Sequence, residues 1–232
     1  MGNKKKSNKK TVKKANDESK INIKYGSPSM DVDLSEQYIL SCLPNAGNCG
    51  GGWTSTALNL ILDDGPNGNY INGVTTESCF PYTSGSNGQV PSCQGKCDDW
   101  ADNLWQISDY GTYYFSFGES GWNQLKQKLI EDGPLGVNFL ATDDFKNWGY
   151  SNHDSDDFYP YTGYTNSINH AVILVGYKDD PSIDNGGYWI CKNSWGSGFG
   201  YGGFFNIEYG ALNIDNTAYW VDIPQGIDVD FS

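Results

Sequence analysis

The sequence predicts an α+β fold in which a helical, disulfide-laced first half precedes a β-rich second half. Three observations point there. Before residue 65 one segment opens on a helix N-cap and another carries apolar residues at mostly helical spacing. Five of the six cysteines crowd between residues 42 and 97. Beyond residue 133 the chain breaks into short β-branched or aromatic runs bounded by Gly, Pro, Asn and Asp.

Taken in order, residues 1–30 read as a basic, disordered tail and linker, because nine of the 15 lysines fall in residues 1–24 and almost nothing apolar accompanies them. Residues 31–110 read as a helical lobe. In "LSEQYILSC", Ser35 is an N-cap with a short helix behind it. In "WTSTALNLILDDG", residues Trp53, Ala57, Leu58, Leu60 and Ile61 mark a second helix ending at Gly65. Residues 111–223 read as the β-rich lobe: an amphipathic helix in "GWNQLKQKLIEDG", then strands in "PLGVNFLA", "HAVILVGYKD", "GGYWICKNSW", "GGFFNIEYG" and "TAYWVDI". Residues 224–232 form a C-terminal tail.

Composition and charge exclude several functions. At 232 residues, with 29 Gly, 16 Tyr and 8 Trp, the chain suits an aromatic-packed globule, and no apolar run approaches the roughly 20 residues of a membrane span. Residues 1–24 carry nine Lys against Asp17 and Glu18, whereas the rest carries six Lys against 26 acidic residues and there is no Arg. A body of net charge −20 repels phosphate backbones, so no nucleic-acid partner is expected. "MGNKKKSNKK" offers neither a signal-peptide core nor, with Lys6 in place of Ser or Thr, a myristoylation pattern. The crowded cysteines nonetheless suit an exported, oxidised protein, a conflict that points to sequence missing from the front. The acidic runs "HDSDDF" and "KDDPSIDN" lack the EF-hand spacing and read as solvated loops, so neither a metal nor another cofactor is expected.

There are two histidines. His153, in the polar loop "YSNHDSDDF", reads as a surface residue. His170 opens the apolar strand "NHAVILVGY", where an imidazole at the strand's mouth can face a cleft. Asn193 ends a second strand, with Trp195 just beyond it. An Asn carbonyl can accept the Nδ1 hydrogen of the imidazole and fix its tautomer, while an indole laid over that bond excludes water. Such a pair needs a thiol to activate.

"LSEQ" before a cysteine, then Cys-Gly-Gly-Gly-Trp, "NHAVILVGY" and "YWICKNSWG", in that order over about residues 31–223, resemble the papain-like cysteine proteases. "SCFPY" and "CQGKC" are similar to the cathepsin B branch. The resemblance implies a helical lobe and an antiparallel, β-barrel-like lobe with the active site between them, His170 as general base, Asn193 as its orienter and Trp195 as shield. It also implies that Gly51 or Gly52 pairs with a substrate backbone and that Trp53 lines the pocket for the second side chain before the scissile bond. Asn169 and Trp195 complete the substrate-binding set. Phe199 stands where the family usually has a second Trp, and is expected to wall the leaving-group side; Tyr201 replaces a usual Glu.

The same resemblance decides the role of Cys49. The family's nucleophile sits upstream of "LSEQ", at the start of a central helix, whereas Cys49 lies downstream in the match to a Gly-Cys-Asn-Gly-Gly loop. The implied disulfides are Cys42 with Cys93 and Cys79 with Cys97, which leaves Cys191 as a buried thiol and Cys49 unpaired, its expected partner lying beside the absent nucleophile. The nucleophile, the oxyanion glutamine and the central helix are all expected upstream. The resemblance thus implies a cysteine-type peptidase acting on peptides or proteins, truncated here so that the chain as written is inactive. The alternative is a non-catalytic pseudo-protease that binds peptides or a partner through a retained groove; a fragment supplying the missing helix is a further possible partner. The family and the cysteines imply a secreted protein.

Overall fold

The computed structural model describes residues 18, 20–24, 32–43, 45–62, 72–84, 89–102, 104–163, 165 and 167–224. The chain divides into two units, one holding Thr112–Trp220 and the other drawing on Asp17–Gly111 and Val221–Ser232.

The second of these units is held by caps, one buried amide and two disulfides. Helix α1 (Glu36–Ser41) begins at Ser35, whose Oγ accepts from the Tyr38 N–H at 2.9 Å and donates to the Phe80 carbonyl at 2.6 Å. The capping hydroxyl therefore satisfies an orphan helix donor and ties a remote loop to the helix start. Next to it the fully buried Gln37 spends its whole amide: Oε1 accepts from the N–H groups of Thr83 and Ser84, and Nε2 donates to the hydroxyls of Ser41 and Ser84. Helix α2 (Thr54–Leu62) buries Ala57, Leu58 and Ile61. Cys42 is bonded to Cys93 and Cys79 to Cys97.

The lysine-rich head departs from the expected tail at 20–24, which is helical. Ile21, set among lysines, is 1% exposed, and Lys24 donates to the carbonyls of Ile223 and Pro224. One buried apolar side chain and one lysine bridging two carbonyls order a stretch whose composition alone reads as solvated. Residues 1–17 and 225–232, the bulk of both expected tails, lie outside the described residues.

Among the described residues one sheet of six strands has the order β1-β6-β2-β3-β4-β5. These are β1 (Asp109–Tyr114), β2 (Leu135–Phe139), β3 (His170–Asp179), β4 (Gly187–Lys192), β5 (Phe204–Glu208) and β6 (Thr217–Asp222). The pairs β2–β3, β2–β6, β3–β4 and β4–β5 are antiparallel. Helix α3 (Glu119–Asp132) precedes β2, burying Trp122, Leu125 and Leu129, and α4 (Asp143–Gly149) follows it, capped by Thr142. One sheet face carries Val137, Val172, Leu174, Trp189 and Ile207, all buried, into the main core. Phe145 of α4 sits among the rings of Phe139, Phe205, Tyr159 and Phe199 at centroid distances of 5.0 to 5.6 Å. The helix is thereby anchored beside the end of β2.

The register places the site. Phe139, the last residue of β2, lies opposite His170, the first of β3. Strand β4 runs back along β3 and ends at Lys192, so Asn193 emerges beside the start of β3. Two residues 23 apart in sequence meet because antiparallel neighbours bring the end of one strand to the beginning of the next.

Candidate active site

His170 and Asn193 are hydrogen-bonded, His170 Nε2 to Asn193 Oδ1 at 2.9 Å. The same Oδ1 also accepts from the Ser194 N–H at 2.8 Å, which fixes the carbonyl end of the amide toward the ring. The nitrogen that meets the asparagine is thus Nε2 and not Nδ1 as expected from the sequence. A ring whose Nε2–H donates to a carbonyl has its lone pair on Nδ1, and Nδ1 has no hydrogen-bond partner among the described residues although it is buried.

The surroundings of the ring are aromatic. Trp195 stacks on it at 4.5 Å between centroids and 24° between planes, and Phe139 meets it edge-on at 5.4 Å. His170 is 1% exposed, and burial, the largest influence, drives its pKa down from 6.5 to about 4; the Asn193 hydrogen bond opposes this and the charge of Lys146 adds to it. The imidazole is therefore neutral at pH 7, which is the form that can accept a proton.

The chain's own thiols offer little. Four cysteines are in disulfides. Cys191 lies in β4, fully buried, and burial pushes its thiol far above the usual range. Cys49 is the remaining free thiol; it sits in the glycine loop, with the Gln89 carbonyl 4.0 Å away.

That loop is built by close backbone approach. Asn48 and Gly51 exchange both backbone hydrogen bonds, each 2.9 Å, and the Asn48 side chain accepts from the Gly50 N–H. Gly51 has φ +135°, and a Cβ on Gly52 would collide with the Ala46 carbonyl and the Gly47 Cα, so neither position admits a side chain without strain. Gly51 is thereby committed to Asn48, whereas the backbone of Gly52 has no hydrogen bond to a described residue. Trp53, next in sequence, is 63% exposed.

A family model described as papain family cysteine protease matches residues 11–221. The chain belongs to the papain family of cysteine proteases. It is 33% identical over 192 residues to cathepsin B-like CP2 of Giardia intestinalis, which covers 81% of this chain and 57% of that protein. Among solved structures, procathepsin L2 from the larval midgut of Tenebrio molitor is similar with a TM-score of 0.71 and 28% identity, over 94% of this chain and 61% of the other. Bromelain from Ananas comosus, solved with an inhibitor, shares the fold with a TM-score of 0.66 at 24% identity, over 93% of this chain and 88% of the other. The chain spans about half the length of the curated relatives it matches.

Within this papain-family chain, three expectations are modified. Asn169 turns its side chain back on the protein: Oδ1 accepts from the Ala141 N–H at 2.7 Å and Nδ2 donates to the Ala141 carbonyl at 3.2 Å, clamping the segment after β2. Phe199 is fully buried, packed edge-on against Trp195 at 4.8 Å and Tyr150 at 5.3 Å, so it supports the shield from beneath and is not a surface wall. His153 is not a solvated residue; it lies on the Trp148 ring at 4.1 Å, with Nε2 beside the Trp148 carbonyl and Nδ1 beside Asp157. Sequence reading missed Phe139 and Lys146. The register of "PLGVNF" against "HAVILV" was the signal for Phe139; Lys146 lies in α4, a helix too short to show a period.

The acidic runs bond both within and beyond their loops: Asp156 faces Lys178, and Asp179 accepts from Lys126 and the Tyr209 hydroxyl. Asp154 and Asp157 accept from neighbouring N–H groups, and Asp180 accepts from the Ser182 N–H and hydroxyl. Among the described residues no helix is long and apolar enough to cross a membrane.

Proposed function

We propose that this chain carries the base, its orienting amide and a substrate-binding loop of a cysteine-type peptidase, and that its nucleophile belongs to a segment outside the given sequence. The observation that carries this reading is the buried His170–Asn193 pair with Nδ1 unpartnered. In such a site a thiol facing Nδ1 gives its proton to His170, and the thiolate attacks the peptide carbonyl. The imidazolium then protonates the departing amine, and the acyl-thioester is hydrolysed by a water that His170 deprotonates. Asn193 holds the ring in the tautomer that keeps Nδ1 basic, and Trp195 keeps water from their hydrogen bond. Gly52 supplies backbone groups for an extended substrate and Trp53 an exposed ring for one of its side chains. The two disulfides support an exported protein.

A second reading, a peptide-binding pseudo-protease, is favoured by one observation: four of the six cysteines are bonded and Cys191 is buried, so none but Cys49 is available as a thiol. The two readings part in one assay. The longest natural product containing this chain is expected to hydrolyse fluorogenic dipeptide amides under mild reduction and to be inactivated by a thiol-directed epoxide. A product inert to both, yet binding peptides, overturns the peptidase and leaves the binder.

A further inference from the structure

One of the two disulfides carries a cation at its sulfurs. Lys96 Nζ donates to the Cys93 carbonyl at 2.6 Å and to Cys93 Sγ at 3.0 Å, and it stands 3.8 Å from Cys42 Sγ. The ammonium also lies over the Trp100 ring, 4.5 Å from its centroid. No carboxylate meets Lys96 among the described residues. Burial holds its pKa below the usual lysine range, because the charged form has lost hydration without gaining an opposite charge.

The other disulfide, in the same unit, isolates the effect of that cation. Cys42 and Cys79 are each 8% exposed, and their partners Cys93 and Cys97 are both half-buried, so the two bonds match in exposure. Among the described residues no lysine reaches the sulfurs of Cys79 or Cys97 within hydrogen-bonding distance. The difference bears on thiol–disulfide exchange. There the bond breaks faster when the departing sulfur belongs to the thiol of lower pKa, and a neighbouring cation lowers that pKa. Lys96 faces both sulfurs of its disulfide, so whichever departs does so as a thiolate with its counter-ion in place.

We propose that Cys42–Cys93 is an exchange-labile disulfide at which a low-molecular-weight monothiol of the glutathione class forms a mixed disulfide on Cys93. The monothiolate attacks Cys93 Sγ, the more exposed of the pair. A new S–S bond forms, the Cys42–Cys93 bond breaks, and its electron pair leaves with Cys42 as a thiolate beside Lys96. The incoming thiol is oxidised to the disulfide level and Cys42 is reduced, so no further oxidant enters. A second monothiolate attacks the bound thiol's sulfur, releases the symmetrical disulfide, and leaves Cys93 as a thiolate next to the same ammonium. Cys42 is the C-cap residue of α1, and the Gln89 carbonyl lies beside Cys49 of the glycine loop. Exchange therefore uncouples the segment 89–93, which borders that loop, from α1, while Cys79–Cys97 stays closed.

The test uses the folded full chain with Cys49→Ser, which removes the free thiol near Gln89. It is exposed to reduced glutathione, quenched by alkylation at intervals and mapped by mass spectrometry, with thermal melts as the check on folding. Cys42–Cys93 is expected to open about tenfold faster than Cys79–Cys97, with glutathione on Cys93. Adding Lys96→Met should slow the first opening about tenfold and leave the second unchanged. Opening of Cys79–Cys97 as fast as that of Cys42–Cys93, or faster, overturns the inference whether or not the lysine variant folds. So does a folded Lys96→Met chain whose Cys42–Cys93 bond opens at the unsubstituted rate.

Discussion

His170 is held uncharged by what surrounds it, and that has a measurable consequence for stability. The imidazole takes up its proton near 6.5 when unfolded and only near about 4 when folded. Its contribution to stability is therefore intact above about pH 6.5 and is lost as the pH falls toward 4, by up to about 3 kcal/mol. Urea midpoints at pH 7 and pH 4.5 are expected to fall further apart for the wild type than for His170→Gln; equal pH slopes would contradict a buried, neutral base. Asn193→Ala leaves Nε2 buried without its acceptor and is expected to cost about 1–3 kcal/mol, read from the same midpoints. Both residues were legible in the sequence because each ends or opens an apolar run. Which ring nitrogen meets the amide was not, since that depends on the rotamer fixed by Trp195 and Phe139, neither of which is close to His170 in sequence.

Elements with a strong period or a cap could be read from the chain, and those without could not. Ser35 announced α1, and the structure gives its hydroxyl two bonds, so Ser35→Ala is expected to lose about 2 kcal/mol, more than a surface cap, in thermal or urea unfolding. Five strands of the sheet were legible as β-branched or aromatic runs. Strand β1 was missed because Gly111 interrupts "DYGTYY", and α4 because seven residues give too few turns to show a periodicity. Helix α4 nevertheless supports the site: Gly149 at its end lies so close to Phe199 that a Cβ there would enter the ring. Gly149→Ala should therefore displace Phe199 and, through it, Trp195, costing about 1–3 kcal/mol and raising the solvent exposure of the indole in fluorescence quenching.

At the scale of the whole molecule the two units are stabilised by different means. The disulfides close loops of 51 and 18 residues, both within the unit that holds α1 and α2, whereas Thr112–Trp220 relies on its aromatic core and sheet. A disulfide of that loop size typically contributes about 2–4 kcal/mol. Reduction is expected to lower the thermal transition of the α1–α2 unit, followed by amide exchange, while the amides of β3 and β4 keep their protection. Fold class and family were legible because the two halves differ in period and cysteine content and because the His and Asn motifs stand intact. The helical turn at 20–24 was not, since its order comes from the burial of Ile21 and from carbonyls near residue 223, far away in sequence.

We have proposed that His170, oriented by Asn193, is the base of a thiol peptidase whose nucleophile is not Cys49. The most direct measurement is hydrolysis of a fluorogenic dipeptide amide by the longest natural product containing this chain, compared among wild type, His170→Ala and Cys49→Ser. Turnover lost in His170→Ala and kept in Cys49→Ser is the predicted result. Turnover lost in Cys49→Ser, or kept in His170→Ala, would overturn that assignment of the base and nucleophile.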